Sequence, residues 1–147
     1  MIRRATPADL PNLLPLLDRY YTEWQVQVRD TPAQTLTYLN HPTLGFLVAE
    51  EDNALAACVL LRDLSSIPQA TECKRLYVLP THRGAGLANR LMDAAEAQAR
   101  AAHLTFLYLD TGNDFAAAIA FYRRRGYEEI PRFNDNPQAA FFFRKAL

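Results

Sequence analysis

The residues best suited to chemistry lie between Arg75 and Ala88, in the run R-L-Y-V-L-P-T-H-R-G-A-G-L-A. Leu76, Tyr77, Val78 and Leu79 read as a strand stopped by Pro80, and Leu87, Leu91, Met92, Ala95 and Ala99 follow as one stripe of a helix. Between strand and helix, Arg83, Gly84, Ala85 and Gly86 make a turn with little side chain in the way. Gly84 and Gly86 permit unusual dihedrals and close approach. The first amides of a helix lack intrahelical partners and sit at the positive end of its dipole. The amides of residues 83–88 therefore suit a phosphate, with the Arg83 guanidinium as a charge partner. A dinucleotide-binding G-x-G-x-x-G would need glycine at Asn89 and an acidic residue after the next strand, for which Asp110 is a candidate. No G-K-S or G-K-T occurs, and the remaining reading is a plain strand-to-helix turn.

The spacing Arg83-x-x-Gly86-x-Ala88 resembles the pyrophosphate motif Q/R-x-x-G-x-G/A of the GNAT superfamily of acetyl-CoA-dependent N-acetyltransferases. A second segment, F-A-A-A-I-A-F-Y-R-R-R-G-Y over residues 115–127, resembles that superfamily's N-x-x-A-h-x-h-Y-x-x-x-G-F, where h is apolar. Ala118, Ile119, Phe121, Tyr122, Gly126 and Tyr127 match, whereas Phe115 replaces the asparagine of many relatives. The resemblance implies a strand pair splayed apart to admit acetyl-CoA as co-substrate. The edge of Leu76, Tyr77 and Val78 would then bind the pantetheine arm like an added strand, and the phosphates would lie on Arg83, Gly84, Ala85, Gly86, Leu87 and Ala88. Arg90 and the run Arg123-Arg124-Arg125 are candidates for the adenosine 3′-phosphate, although cations also suit a helix C-terminus on their own account.

Acetyl transfer to an amine needs a neutral amine, a polarised carbonyl and a protonated leaving thiolate. Glu72 is the candidate base, because relatives often carry one there and four residues of strand would put it on the face of Leu76 and Val78. The alternative for Glu72 is a salt-bridged strand residue beside Lys74. Tyr122 is the candidate acid, with a packed core tyrosine as its alternative. The backbone N–H of Val78 would polarise the thioester oxygen. Tyr20, Tyr21, Glu23 and Trp24 form an aromatic and acidic cluster where relatives bind acceptors. Asp110 and Asp135 add carboxylates, which favours a cationic small amine over an anionic substrate and leaves a peptide N-terminus or protein lysine open.

The composition fits this reading. Half of the 147 residues are hydrophobic and the formal net charge is zero, so a single domain over 1–147 with a sizeable core is expected, with no bulk attraction to nucleic acid or anionic membranes. No apolar run spans a bilayer and the first residues lack the apolar core of a signal peptide, which points to the cytoplasm. Cys58 and Cys73 read as buried free thiols, and the three histidines form no ligand set, so no metal is expected.

The elements that must position the site follow from periodicity and caps. A short strand at 2–5 precedes a helix opened by Thr6-Pro7, and a second helix opens at Thr31-Pro32. Strands are expected at 44–50, 55–62 and 70–79, a helix at 84–103, a strand at 104–110, a helix ending near 125, and strands at 127–130 and 139–144. The order β-α-α-β-β-β-α-β-α-β-β implies a mixed, mostly antiparallel sheet flanked by helices. The strands at 70–79 and 104–110 run parallel through a right-handed crossover. The resulting α/β fold is the GNAT-like one. A non-catalytic acyl-CoA-binding or sensing module on that fold is the runner-up function. The superfamily often dimerises, and the apolar run Phe141-Phe142-Phe143 suits either a homodimer interface or the core.

Overall fold

Helix caps written into the sequence set the first third of the chain. A computed structural model describes residues 1–112 and 116–147, so Phe115 lies outside the described residues. After β1 (Ile2–Arg4), the Thr6 amide donates to Asp9 Oδ2 at 2.7 Å, and a short 3-10 turn leads into α1 (Leu10–Glu23). Leu13, Leu16, Leu17 and Tyr21 form its buried stripe at helical spacing. At α2 (Pro32–Leu39), Thr31 and Gln34 complete a reciprocal capping box, with bonds of 3.1 and 2.8 Å.

Strands β2 (Gly45–Glu51), β3 (Ala54–Asp63) and β4 (Ala70–Val78) form an antiparallel meander. Then come α3 (Leu87–Ala101), β5 (Phe106–Thr111), α4 (Ala116–Arg124), β6 (Glu128–Ile130) and β7 (Phe141–Ala146). Among the described residues seven strands lie in one sheet, ordered β1-β2-β3-β4-β5-β7-β6, in which β4 and β5 alone pair in parallel. The element order and mixed sheet agree with the sequence reading. Helices α1 and α2 cover one face, where Leu13, Phe46 and Leu60 are buried; α3 and α4 cover the other, with Leu91, Met92, Ala95 and Ala99 against Val59, Leu61 and Leu107. Full burial of each larger side chain contributes about 1.5–3 kcal/mol.

Strand β7 lies between β5 and β6, and Phe142 and Phe143 are buried, so the phenylalanine run belongs to the core. Cys58 and Cys73 are buried free thiols on opposite faces, and burial pushes the Cys58 thiol up to about 12.

A bulge in β4 corrects one expectation. Val59 of β3 faces two residues, Arg75 and Leu76, and Arg75 adopts φ +60°. The extra residue reverses side-chain alternation: Cys73 packs with the α3 face, whereas Tyr77, also odd-numbered, packs with the α1 face. Glu72 therefore lies on the α1 and α2 face, opposite Leu76 and Val78, and not beside them.

Glu96 of α3 fastens the end of the fold that carries α4. Its carboxylate, 4% exposed, accepts from Lys145 at 2.8 Å, Tyr127 at 2.9 Å and Arg125 at 3.0 Å. Burial raises its pKa, but these three donors outweigh that and hold it below the ordinary glutamate value. The stabilisation is complete above the unfolded pKa of about 4.3 and is lost as pH falls through the depressed folded value. Glu96→Gln removes the counter-charge of Lys145 and leaves Arg125 with Asp93 alone, and is expected to cost about 3 kcal/mol, read as a lower urea midpoint at pH 7.

Candidate active site

The glycine turn forms an open cradle of backbone amides at the start of α3. Gly86 is the N-cap residue at φ +82° and offers no side-chain cap; Gly84 has φ +84°. The first helical bond runs from Arg90 N–H to the Gly86 carbonyl at 3.1 Å, so the amides of Leu87, Ala88 and Asn89 have no intrahelical acceptor. A Cβ added at Gly84 or Gly86 would meet nothing within 4 Å. Leu87 anchors the turn in the core at 3% exposure. The Arg83 amide donates to the Pro80 carbonyl at 3.4 Å. The Arg83 side chain also turns back, donating to the Val78 carbonyl at 2.9 Å and to Glu23 Oε2 at 2.7 Å.

From the cradle, a groove of about 1270 Å³ runs between β4 and β5. Their pairing covers only Ala70, Thr71 and Glu72, opposite Phe106, Leu107 and Tyr108; beyond it the strands part. Leu79 N–H donates to the Ala56 carbonyl at 2.9 Å, so strand alternation turns the N–H of Val78 away from β3 and into the gap. Tyr77 by the same alternation gives its backbone to β3, and its hydroxyl donates to Glu23 Oε1 at 2.9 Å.

Tyr122 lines the groove from the α3 and α4 side. Its ring packs edge-on against Tyr127 at 5.6 Å and lies tilted at 6.3 Å from Phe143, and its hydroxyl has no hydrogen-bond partner among the described residues. Burial raises its pKa well above that of a free phenol, so it stays an O–H donor at neutral pH.

Across the gap, on the α1 and α2 face, Glu72 is 3% exposed. It accepts from Arg62 at 2.8 Å and Asn134 at 2.9 Å, with Lys74 at 3.7 Å. Lys74 also reaches Asp110 at 2.8 Å, and Asn134 donates to Asp110 at 2.6 Å. Arg62, Lys74, Asp110 and Asn134 line the groove directly, with Glu72 behind them. The sequence reading missed Asn134, and with it Gln138, which accepts from Gln27 N–H at 2.8 Å and donates to the Gln25 carbonyl at 3.0 Å. These bonds dock the loop between β6 and β7 onto the loop between α1 and α2, closing one end of the groove.

The aromatic cluster divides. Tyr20 and Trp24 line the groove, whereas Tyr21 is buried in the core, with its hydroxyl accepting from Asp30 N–H at 3.2 Å. Burial raises the pKa of Glu23, but hydrogen bonds from Arg83 and Tyr77 outweigh it and hold the carboxyl below its ordinary value. The arginine run divides as well. Arg125 is tied to Asp93 at 2.7 Å and to Glu96, and Arg123 to Glu129 at 2.9 Å, which leaves Arg124 and Arg90 exposed and unpaired among the described residues.

The parallel strand pair parts beside a glycine-lined helix N-terminus, and comparison with known proteins identifies the class of protein built this way. The model of the Acetyltransferase (GNAT) family matches residues 10–127, and the chain belongs to that family. It is 34% identical over 135 residues to an IAA acetyltransferase of Azospirillum brasilense, covering 87% of this chain and 84% of that protein. A GNAT-family acetyltransferase structure from Staphylococcus aureus superposes with TM-score 0.84 at 18% identity, over 99% of this chain and 98% of the other. A PaiA N-acetyltransferase from Thermoplasma acidophilum, solved with coenzyme A, gives 0.81 at 16% identity, over 100% and 98%. Among the described residues no helix is long and apolar enough to cross a membrane.

Proposed function

We propose that this acetyltransferase moves an acetyl group from acetyl-CoA to the primary amine of a small molecule, by direct transfer with both substrates bound. The observation that carries the reading is the continuity of the groove from the glycine cradle, through the β4–β5 gap, to the charged acceptor end. Acetyl-CoA supplies a thioester: a C–N bond forms as the C–S bond breaks, the amine gives up a proton and the leaving sulfur takes one. The backbone of Gly84, Ala85, Gly86, Leu87 and Ala88 holds the phosphates, and the open edge at Leu76 and Val78 holds the pantetheine amides. Val78 N–H, fixed by the sheet, faces the thioester oxygen. Tyr122 donates to the departing sulfur from the α3 and α4 side.

The amine arrives from the opposite face, past Tyr20 and Trp24, and its proton leaves towards the network of Lys74, Asp110 and Glu72. That division puts acid and base on opposite faces of the sheet, and the bulge at Arg75 turns Leu76 and Val78 to the face of Tyr122 while Glu72 stays on the other. Glu72→Gln is expected to lower kcat/KM by about 10²-fold and to flatten the acidic limb of the pH profile. An unaltered profile in the folded variant would leave Glu72 a structural ion-pair partner.

Calorimetric titration with acetyl-CoA, alongside NADH and ATP, tests the cofactor half of the reading, and thiol release with a panel of amines tests the transfer. Selective acetyl-CoA binding with thiol release supports it. Binding with no release for any amine would favour the sensing module.

A further inference from the structure

Arg75 occupies the bulge that opens the groove, and three features set it apart from the other cations there. Its backbone has φ +60°, a conformation that costs a non-glycine residue about 1 kcal/mol or more and that clusters at ligand sites. Its side chain is 9% exposed, yet Nε is buried without any hydrogen-bond partner. Its ion pair is long: one terminal nitrogen lies 3.3 Å from Asp30 Oδ2 and 3.5 Å from the Val28 carbonyl, and its other neighbours are the neutral side chains of Tyr20 and Tyr21. By contrast Arg62, Lys74 and Arg83 each reach a carboxylate at 2.7–2.8 Å. A guanidinium carries five donors in a fixed fork suited to a carboxylate, and a buried one so poorly matched is an incomplete site.

The geometry points to Arg75 as the anchor for a carboxylate on the acceptor, so that the amine acetylated belongs to an amino acid or another small amino-carboxylate. Resting on the transfer reading above, this deepens it. Asp110 and Asp135 at the same end attract an ammonium group, and taken alone they favour a plain cationic amine. Arg75 adds the complementary charge, so the groove recognises both ends of a zwitterion. Tyr20 and Tyr21 flank the guanidinium, with ring centres 5.9 and 5.3 Å from its central carbon, and hold it in place between them. Asp30 would remain its counter-ion when the acceptor is absent.

The test compares each common amino acid with its C-terminal primary amide, which keeps the amine and removes the carboxylate charge. Binding is read by calorimetry in the presence of coenzyme A, and turnover by thiol release. At least one amino acid is expected to bind about 10- to 100-fold more tightly than its amide, the range for a charged hydrogen bond, and Arg75→Gln should abolish that preference. Retained acetyl-CoA affinity in Arg75→Gln shows that the variant is folded. Should that variant fail to fold, the wild-type comparison still decides. Amides binding as well as the acids, no member of either series binding, or a preference that survives in folded Arg75→Gln would overturn the assignment. Carboxylate-dependent binding without thiol release would instead uphold Arg75 as an anchor and overturn the transfer reading, so the two failures are distinguishable.

Discussion

Gly86→Glu is expected to lower acetyl-CoA affinity by at least about 10³-fold while the protein still folds. Added Cβ atoms at this position meet nothing within 4 Å, so the substitution makes no clash. Its backbone cost is that of a side chain at φ +82°, about 1–2 kcal/mol. Against that, a carboxylate at a helix N-terminus is favourable by about 0.3–1 kcal/mol, because the first amides of α3 lack partners. The same attraction would block the cradle: the new side chain fills the space proposed for a phosphate and would repel its charge. Gly86→Ala separates the two effects, since it carries the backbone strain without the charge and should weaken binding far less. Titration of both variants with acetyl-CoA, with thermal melts as the folding control, gives the result. Wild-type affinity in folded Gly86→Glu would mean that the turn does not hold the phosphates.

What the sequence revealed of this site was what local pattern encodes. The strand of Leu76 to Val78, the stop at Pro80, the two glycines and the apolar stripe of α3 are contiguous, and their spacing alone required a strand, an open turn and a helix. Tyr122 was singled out by its place in the second family-like motif, and it does line the groove. The face of Glu72 was not legible. A period-two count assumes unbroken pleating, and nothing about an arginine at position 75 announces a left-handed backbone conformation, which glycine or asparagine would have suggested. The charged network was hidden by distance along the chain: Asn134 meets Glu72 across 62 residues and Arg83 meets Glu23 across 60. Arg83 illustrates the limit. Its place in the motif suggested a phosphate partner, whereas a carboxylate from α1 already holds its guanidinium at 2.7 Å. Under the proposed function the turn would therefore hold a phosphate mainly through backbone amides, a role in which glycine matters more than charge.

Tyr122→Phe should reduce kcat by roughly 10²-fold or more with little change in acetyl-CoA affinity. The substitution removes one oxygen from a ring held by Phe121 at 5.2 Å, Tyr127 at 5.6 Å and Phe143 at 6.3 Å, and phenylalanine keeps all three contacts. Because the hydroxyl has no partner among the described residues, its loss breaks no hydrogen bond and stability should hold within about 0.5 kcal/mol. A fall in rate could then not be blamed on the fold. The burial of the phenol decides its chemistry. In a buried site it remains protonated, and an O–H aimed at a sulfur that becomes negative only as the C–S bond breaks stabilises the transition state more than the bound substrates. That differential predicts a loss in kcat with KM for acetyl-CoA nearly unchanged. Single-turnover rates at saturating acetyl-CoA and acceptor would isolate the chemical step. A wild-type rate there would assign protonation of the thiolate to water entering the groove, and Tyr122 would become the packed core tyrosine that its ring contacts alone would justify.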